Sequence, residues 1–297
     1  MNSNLSEKAL MAFIYSSLFV LMFVTLYPFW NAIVISFNTG HNTALGGLSF
    51  WPRDFTMKNY QVVLRDSRLL DAFVVTALRT VVGTVLSIFF TSLFAYGLSK
   101  KELIGRKYYM VICVITMYFS GGLIPTFLLI RELHLMNTFW VMVIPGIISV
   151  WNMIIFRTFF IQLPEGLEES AKMDGCNHHG VFFRIVLPIS GPVVATLSLF
   201  TAVWHWNSWF DASIYITNPK LLPIQTLLSN IVNSNLVSES SQFLKQTTVK
   251  AIQQANIVTY RSLLMTTMVI STIPVLVVFP FVQKYFSKGV LVGSLKE

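Results

Sequence analysis

The chain has 297 residues, of which 54% are hydrophobic and only 11% are charged, and its mean hydropathy is +0.65. Soluble domains usually carry about 25% charged residues, so this composition excludes an ordinary soluble protein and predicts a polytopic protein of the lipid bilayer. The formal net charge of +8 is interpreted as anchoring of cytoplasmic loops and not as affinity for nucleic acid. The two cysteines, Cys113 and Cys176, form neither a CxxC motif nor a disulfide framework.

Six apolar segments along the chain are long enough to cross a bilayer. We predict an all-α membrane protein with transmembrane helices at about 10–37, 72–98, 108–130, 138–160, 182–206 and 262–285. The first segment is too long for the core of a signal peptide and lacks a small-residue cleavage site, so it is interpreted as an uncleaved membrane helix. The chain is divided into residues 1–71, the first helix with its outer loop, and residues 72–297, the remaining five spans.

Charge in the short loops predicts the orientation of these spans. The loop KKELIGRK at 100–107 carries four basic residues against one acid, and short loops rich in Lys and Arg remain in the cytoplasm. With six spans, both termini and the central loop lie on the same side as this loop, so both termini are predicted to be cytoplasmic. Arg79, in the outer third of the second span, is interpreted as snorkelling outward in preference to contacting a substrate hydroxyl.

A long outer loop is predicted at 207–260. Within it four apolar residues share one helical face, which is typical of a helix at the membrane interface or of a re-entrant segment. They are Ile224, Leu227, Leu228 and Ile231.

The central loop, QLPEGLEESAKMDGCNHHGVFFRIVLPISGP at 162–192, is a charged insert between two apolar spans. Pro164 suits the first turn of a helix, and three glutamates crowd the end where the helix dipole favours anions. Gly175 predicts a left-handed stop, and a second helical run begins two residues later and becomes apolar. We therefore predict a short helix, a sharp turn and a helix that enters the membrane.

The same loop contains Glu169-Ser170-Ala171, then Gly175, Ile185 and Leu187-Pro188, and this spacing resembles the EAA loop of binding-protein-dependent ABC importer permeases, E-A-A-x3-G-x9-I-x-L-P. Ser170 in place of the first alanine is the only departure. In that family the loop forms a coupling helix, here at about 164–176, that docks into a cytoplasmic ATPase. The resemblance implies ATPase coupling by Glu165, Leu167, Glu168, Glu169, Ala171, Asp174 and Gly175. An ordinary amphipathic cytoplasmic loop is the alternative interpretation.

Motifs for chemistry within this chain are absent from the sequence. It contains no GxxxxGK[ST], no HExxH and no GxSxG, so neither a P-loop nucleotide site nor a common hydrolase site is predicted. The spacing of Asp174, Cys176, His178 and His179 does not suit a tetrahedral zinc site, and we predict no metal. We therefore expect no enzyme activity and no cofactor bound by this chain; the resemblance implies that ATP and Mg bind a partner ATPase.

Aromatic and hydrogen-bonding groups cluster at the end of the fifth span, in VWHWNSWFD at 203–211. Sugars bind to such combinations, through their hydroxyls and their C–H faces. The candidate substrate path comprises Trp204, His205, Asn207 and Trp209, with Asn152 and Tyr118 deeper in the membrane. An interfacial aromatic belt explains the tryptophans equally well, and both interpretations remain open. WNSWFD, like FWPRDFTMKNY at 50–60, is similar to the corresponding segment of sugar permeases.

Over nearly its whole length the chain resembles the inner-membrane permease of carbohydrate ABC importers, particularly the maltose-type second permease and its complex-polysaccharide relatives. The resemblance implies one leading helix plus a five-helix core in a bacterial cytoplasmic membrane. It also implies a second, different permease subunit, two ATP-binding cassette ATPases and an extracytoplasmic solute-binding protein that delivers the carbohydrate. Closure of the ATPases would move the coupling helix and switch the pore between outward- and inward-facing states.

Two other classes of protein compete with this interpretation. A secondary active transporter of a small polar solute would need no ATPase, but the sequence shows neither internal repeats nor an intramembrane acid for proton coupling. A membrane-embedded enzyme or assembly factor would need intramembrane ionisable groups, which are missing apart from Arg79 and His205.

Overall fold

A computed structural model describes residues 5–44, 46–47, 50–236 and 258–294. These residues are mainly helical and form no β-sheet; one isolated antiparallel bridge joins Asn38 and Phe55. In chain order the α-helices are α1 (Leu5–Ser36), α2 (Gly40–Ala44), α3 (Lys58–Arg65), α4 (Ser67–Ser99), α5 (Arg106–Tyr118), α6 (Leu123–Glu132), α7 (Val150–Ile161), α8 (Glu165–Met173), α9 (His178–Val181), α10 (Leu187–Ile189), α11 (Gly191–Asn207), α12 (Phe210–Tyr215), α13 (Ile224–Leu236) and α14 (Tyr260–Ser294). Short 3-10 turns cover Phe139–Met142, Ile144–Gly146 and Pro219–Leu221, and a π-helical turn covers Phe182–Val186.

Three described helices are long and apolar enough to cross a membrane: the Glu7–Ser36 part of α1, all of α4, and the Tyr260–Pro280 part of α14. Three further candidates are pairs of helical segments with a sharp bend between them. The bend is 112° between α5 and α6, 46° between the 3-10 turns and α7, and 81° between His178–Ile189 and α11. The six predicted spans are reached when each bent pair counts as one span.

The third span departs most from the continuous helix that we predicted. α5 ends at Tyr118, α6 begins at Leu123, and residues 119–122 between them are not helical. Gly122 has φ 83° and ψ 176°, a conformation that essentially only glycine adopts. Pro125 lies in the first turn of α6, where proline is tolerated, so the break is formed at the glycines and not at the proline.

The fifth span is sharply bent at its inner end, between His178–Ile189 and α11. Pro188 lacks the N–H that would continue an α-helical ladder, and the residues before it form the π-helical turn. α10 then ends at Ile189, and Gly191-Pro192 begins α11.

Residues 237–257 of the predicted outer loop 207–260 lie outside the described part of the chain. Residues 295–297, at the end of the tail, also lie outside it. What is described before residue 237 contains α12 and α13. Ile224, Leu227 and Leu228 are buried, so this apolar face packs inside the protein, which contradicts the interfacial placement and leaves the re-entrant alternative as a prediction. The last helix also continues to Ser294, through most of the predicted tail.

The described residues within Met1–Leu69 and Leu228–Ile273 form one compact unit. In this unit the end of α1 is fixed by buried Asn59, whose Nδ2 donates to the carbonyl of Ser36 at 2.8 Å and to that of Asn38 at 2.9 Å. A helix C-terminus leaves its last carbonyls without intrahelical partners, and Asn59 supplies one. The end of the segment 50–60 therefore packs against the C-terminal end of α1.

The described residues within Leu70–Leu227 and Pro274–Glu297 form the second unit, whose buried apolar side chains make two clusters. The larger cluster joins the C-terminal half of α4 to α7 and to the segment from α8 to α11. Its members include Ile88, Ala95, Tyr96, Leu98, Met153, Phe156, Phe160, Ala171, Val181, Phe182, Val186 and Leu197. The smaller cluster joins the first half of α4 to α6 and α12 through Val75, Ile130, Val141, Met142, Ala212, Tyr215 and Ile216.

One face of α4 is lined by small and polar side chains, which allow helices in a membrane to approach closely. The buried members are Thr76, Arg79, Gly83, Ser87, Thr91, Ser92 and Ala95. Thr91 Oγ1, for example, accepts a hydrogen bond from the N–H of Ser149 at 3.2 Å, at the start of α7. Both candidate sites of the second unit, the EAA-like loop and the candidate substrate path, are therefore arranged around α4.

Candidate coupling and translocation site

The EAA-like loop forms a helical elbow, α8–turn–α9, whose turn is closed by two nested backbone hydrogen bonds. The N–H of Cys176 donates to the carbonyl of Ala171 at 2.9 Å, and the N–H of Gly175 donates to that of Lys172 at 3.0 Å. This is the Schellman arrangement, which satisfies carbonyls at a helix end. Asn177 then caps α9 by accepting from the N–H of Gly180 at 2.8 Å. The predicted helix, turn and second helix are confirmed, with Pro164 preceding the first helical residue.

Gly175 has φ +81°, in the left-handed region that the sequence predicted. A Cβ built at this position would meet no atom within 4 Å. The requirement for glycine is therefore conformational and not steric: an L-residue pays about 1–2 kcal/mol in this region whatever the space around it.

The two sides of α8 have different surroundings. Ala171 is buried in the larger apolar cluster, whereas Leu167, one turn earlier, is exposed. Glu169 and Asp174 are also exposed, and the structure places only the backbone of Glu165. Met173, which the sequence analysis did not select, has 88% of its surface exposed. Gly166, Glu169, Ser170 and Met173 form the outward face of α8, which we call the α8 outer face.

Glu168 turns away from this face and pairs with another loop. Its carboxylate forms a salt bridge with Lys100 Nζ, at the C-terminal end of α4. The same ammonium lies 4.1 Å from the ring centroid of Tyr96. The basic loop 100–107 and the EAA-like loop are therefore neighbours, as the six-span topology requires.

An open cleft of about 560 Å³ lies between these two loops. Its lining includes Tyr96, Lys100, Glu102, Lys172, His178 and Phe182. The pKa of the Glu102 carboxyl is lowered, first by a hydrogen bond from its own backbone and then by the positive charges of Lys172, Lys100 and His178. Charges from both loops thus converge on this cleft. Among the described residues no group of three or more His, Cys, Asp or Glu side chains is arranged to hold a metal ion.

At the middle of α4, the structure brings His205 against the helix. His205 is almost completely buried, and its imidazole lies against the backbone of Gly83. A Cβ added to Gly83 would lie only 2.5 Å from the imidazole. His205, which we predicted for the substrate path, therefore lies in the contact between α11 and α4.

The Arg79 side chain does not snorkel, so that prediction is wrong. Its exposed fraction is 0%, and its guanidinium forms a salt bridge with Asp211. Nη1 also donates to the carbonyl of Ser208 at 3.0 Å. A partner inside the protein removes the need for the cation to reach the interface.

The remaining candidates for the substrate path differ in how far their side chains are exposed. Asn152 is buried and its Nδ2 donates to Thr201 Oγ1 at 3.1 Å, joining α7 to α11. Trp204, Asn207 and Trp209 are exposed at the end of α11. Tyr118 is 80% exposed beside the break in the third span. These exposed groups are accessible to a partner, lipid or substrate, while Asn207 Nδ2 also donates to the carbonyl of Val203 at 2.9 Å.

Two comparisons of sequence place this arrangement among known proteins. Residues 94–292, more than half of the chain, match the family described as binding-protein-dependent transport system inner membrane component. The polygalacturonan/rhamnogalacturonan transport system permease protein YtcP of Bacillus subtilis (strain 168) is 40% identical over 283 residues, 95% of this chain and 96% of its own. Protein LplC of the same strain is 40% identical over 273 residues, 92% of this chain and 90% of its own.

A solved structure agrees with the sequence relatives. A chain from the crystal structure of a bacterial ABC transporter that imports the acidic polysaccharide alginate superposes with a TM-score of 0.87 at 28% identity, covering 96% of this chain and 99% of that one. The fold and the elbow define a membrane-spanning transport subunit. The chain belongs to the family of binding-protein-dependent transport system inner membrane components, the permeases of ABC importers.

Proposed function

We propose that the chain is one of two different permease subunits of an ATP-driven importer that carries a carbohydrate, as an oligosaccharide or polysaccharide fragment, across a bacterial cytoplasmic membrane. The observation that carries the proposal is the α8–α9 elbow, with the EAA spacing and a left-handed glycine in the expected place. The carbohydrate class is supported by YtcP, named for polygalacturonan and rhamnogalacturonan, and by the alginate importer.

In this proposal each of two ATPase subunits binds ATP and Mg, and one of them contacts the α8 outer face. This chain catalyses no covalent step. Ala171 is embedded in the larger apolar cluster and Glu168 is tied to Lys100, so displacement of α8 is passed to α4, α7 and α11 as a rigid-body motion. Such a motion switches the pore, half of which this chain forms, between its outward- and inward-facing states.

An affinity purification of the tagged chain from its native membrane tests the proposal. We expect a second permease and a P-loop ATPase in a defined complex, whose ATP hydrolysis rises with a loaded solute-binding protein. Uptake would then be compared for oligogalacturonides, rhamnogalacturonan fragments and alginate oligosaccharides. A chain that purifies without an ATPase and moves solute on an ion gradient would instead be a secondary transporter.

The orientation of the elbow gives a separate prediction. In a variant without Cys113 and Cys176, single cysteines at Lys101 and Lys172 should resist an impermeant maleimide in intact cells. A cysteine at exposed Lys220, beyond the end of α11, should label. Permeabilised cells provide the control, because all three positions should then react. Labelling of position 172 from outside would reverse the orientation and remove α8 from the ATPase.

For the substrate path, we propose that Asn207 and Trp209 contact the passing carbohydrate. Asn207→Ala removes a hydrogen-bonding group worth about 0.5–1.5 kcal/mol, which predicts roughly 2–10-fold slower uptake in an intact complex. Trp209→Ala should slow uptake similarly. Trp140, which is 48% exposed against 41% for Trp209, supplies a matched control in Trp140→Ala. Wild-type uptake in both test variants would favour the interfacial belt.

A further inference from the structure

Arg79 is the only charged side chain among the described residues that is completely buried, and the coupling elbow does not use it. Its guanidinium pairs with Asp211 Oδ2 and donates through Nη1 to the carbonyl of Ser208 at 3.0 Å. The other oxygen of Asp211 accepts from the N–H of Ala212 at 2.9 Å and from Ser208 Oγ at 3.3 Å. One cation on α4 therefore contacts two points of the corner between α11 and α12.

These two points are the ends of successive helices. Ser208 is the C-cap of α11, and Asp211 lies in the first turn of α12. A cation suits the negative end of a helix dipole, and a carboxylate suits the positive end of the next. A further bond, from Thr226 Oγ1 to the carbonyl of Trp209 at 3.0 Å, also holds this corner.

A corner fixed in this way presents neighbouring side chains in a defined direction. Asn207, Trp209 and Phe210 are exposed beside this pair, in which Arg79 is fully buried and the Asp211 side chain is 24% exposed. Net stabilisation is a weak explanation for the pair, because apolar residues often replace a buried ion pair without loss of stability. Orientation of the corner is an effect that apolar replacements would not reproduce, since only the planar guanidinium bonds Ser208 and Asp211 together.

We propose that the Arg79–Asp211 pair is a positioning device for carbohydrate passage, which holds the 207–210 corner so that Asn207 and Trp209 face the path. Arg79 itself touches no substrate. The proposal rests on the carbohydrate permease function given above.

The deciding variant is Arg79→Met/Asp211→Asn, which removes both charges and leaves no unpaired ion in the buried site. If the pair only balanced charge, this variant would behave as wild type. For a positioning role, we expect the purified complex to assemble but to take up oligogalacturonide from its loaded binding protein at least fivefold more slowly at saturation. Asp211→Asn alone leaves the cation unpaired, and we expect it to impair assembly as well.

A direct readout of the corner accompanies the uptake measurement. In the cysteine-free background, Phe210→Cys reports the exposure of the corner through its rate of reaction with a maleimide. We expect the rate to change several-fold in the double variant and less in Arg79→Lys, which keeps the charge but not the planar fork. The Arg79→Lys variant also decides the matter if the double variant fails to assemble, because it is expected to assemble with an altered labelling rate and slower uptake.

Wild-type uptake together with wild-type labelling at position 210, in the double variant or in Arg79→Lys, would overturn the positioning role. Failure of the underlying function is distinguishable from this. If the unmodified complex transports no oligosaccharide, the proposed function fails, while the labelling rates still report whether the pair holds the corner.

Discussion

Gly175→Val is expected to abolish the stimulation of ATP hydrolysis by the loaded binding protein, while the permease remains inserted in the membrane. The left-handed φ of +81° at this residue costs most L-residues about 1–2 kcal/mol, and a β-branched residue more. The turn would relax by changing direction, because its closing bonds to Lys172 and Ala171 depend on this conformation. α8 would then no longer meet the ATPase in the geometry that couples hydrolysis to the pore.

The size of the effect should follow backbone preference and not side-chain volume. Space around position 175 is open, so Gly175→Asn, with a residue that tolerates the left-handed region, should retain much of the stimulation. Gly175→Ala should fall between the two. Hydrolysis in proteoliposomes with and without loaded binding protein measures this order. Normal ATPase recovery, stimulation and transport in Gly175→Val would refute the coupling role of the elbow.

Gly83→Ala is expected to destabilise the whole permease, for a steric reason. The added methyl would lie 2.5 Å from the imidazole of His205, and that ring, with 1% of the residue exposed, has no solvent space into which to move. Overpacking of this kind typically costs about 1–3 kcal/mol. We therefore expect a lower yield of monodisperse protein and a lower midpoint of thermal unfolding.

Two companion variants make this result specific. Gly97→Ala lies on the same helix with nothing within 4 Å of the new methyl, so it should be neutral or slightly stabilising. His205→Ala makes room for the methyl, so Gly83→Ala/His205→Ala should recover most of the stability lost by Gly83→Ala. Equal stability of Gly83→Ala and Gly97→Ala would show that the α4–α11 contact is looser than the structure indicates.

The features that could be predicted from the sequence are those with a local cause. Apolar length predicts the spans, and the elbow follows from a glutamate-rich first turn, a glycine stop and an asparagine cap within a few residues of one another. The bend at Leu187-Pro188 and Gly191-Pro192 was predictable for the same reason, because proline and glycine restrict or free the backbone where they stand.

The features that escaped prediction depend on residues far apart in the chain. Arg79 and Asp211 are separated by 132 positions, and only the packing of α11 against α4 brings them together. An isolated arginine in an apolar helix is therefore equally consistent with snorkelling. The same applies to Glu168, whose position in the EAA pattern gives no indication that Lys100 is its partner. One signal would have suggested the pair. It is an arginine near the outer end of one span together with an aspartate, with no other assigned role, just after a later span.

The central claim is that this chain is the coupled permease of a carbohydrate importer, and ATP-driven uptake in proteoliposomes tests it most directly. Vesicles would contain the purified complex with ATP inside and binding protein loaded with radiolabelled oligogalacturonide, rhamnogalacturonan fragment or alginate oligosaccharide outside. We predict that one or more of these sugars accumulates against its gradient, and that omission of ATP, of the binding protein or of this chain abolishes accumulation. Accumulation that persists without ATP or binding protein, or the absence of uptake for every sugar in a complex that hydrolyses ATP, would contradict the account.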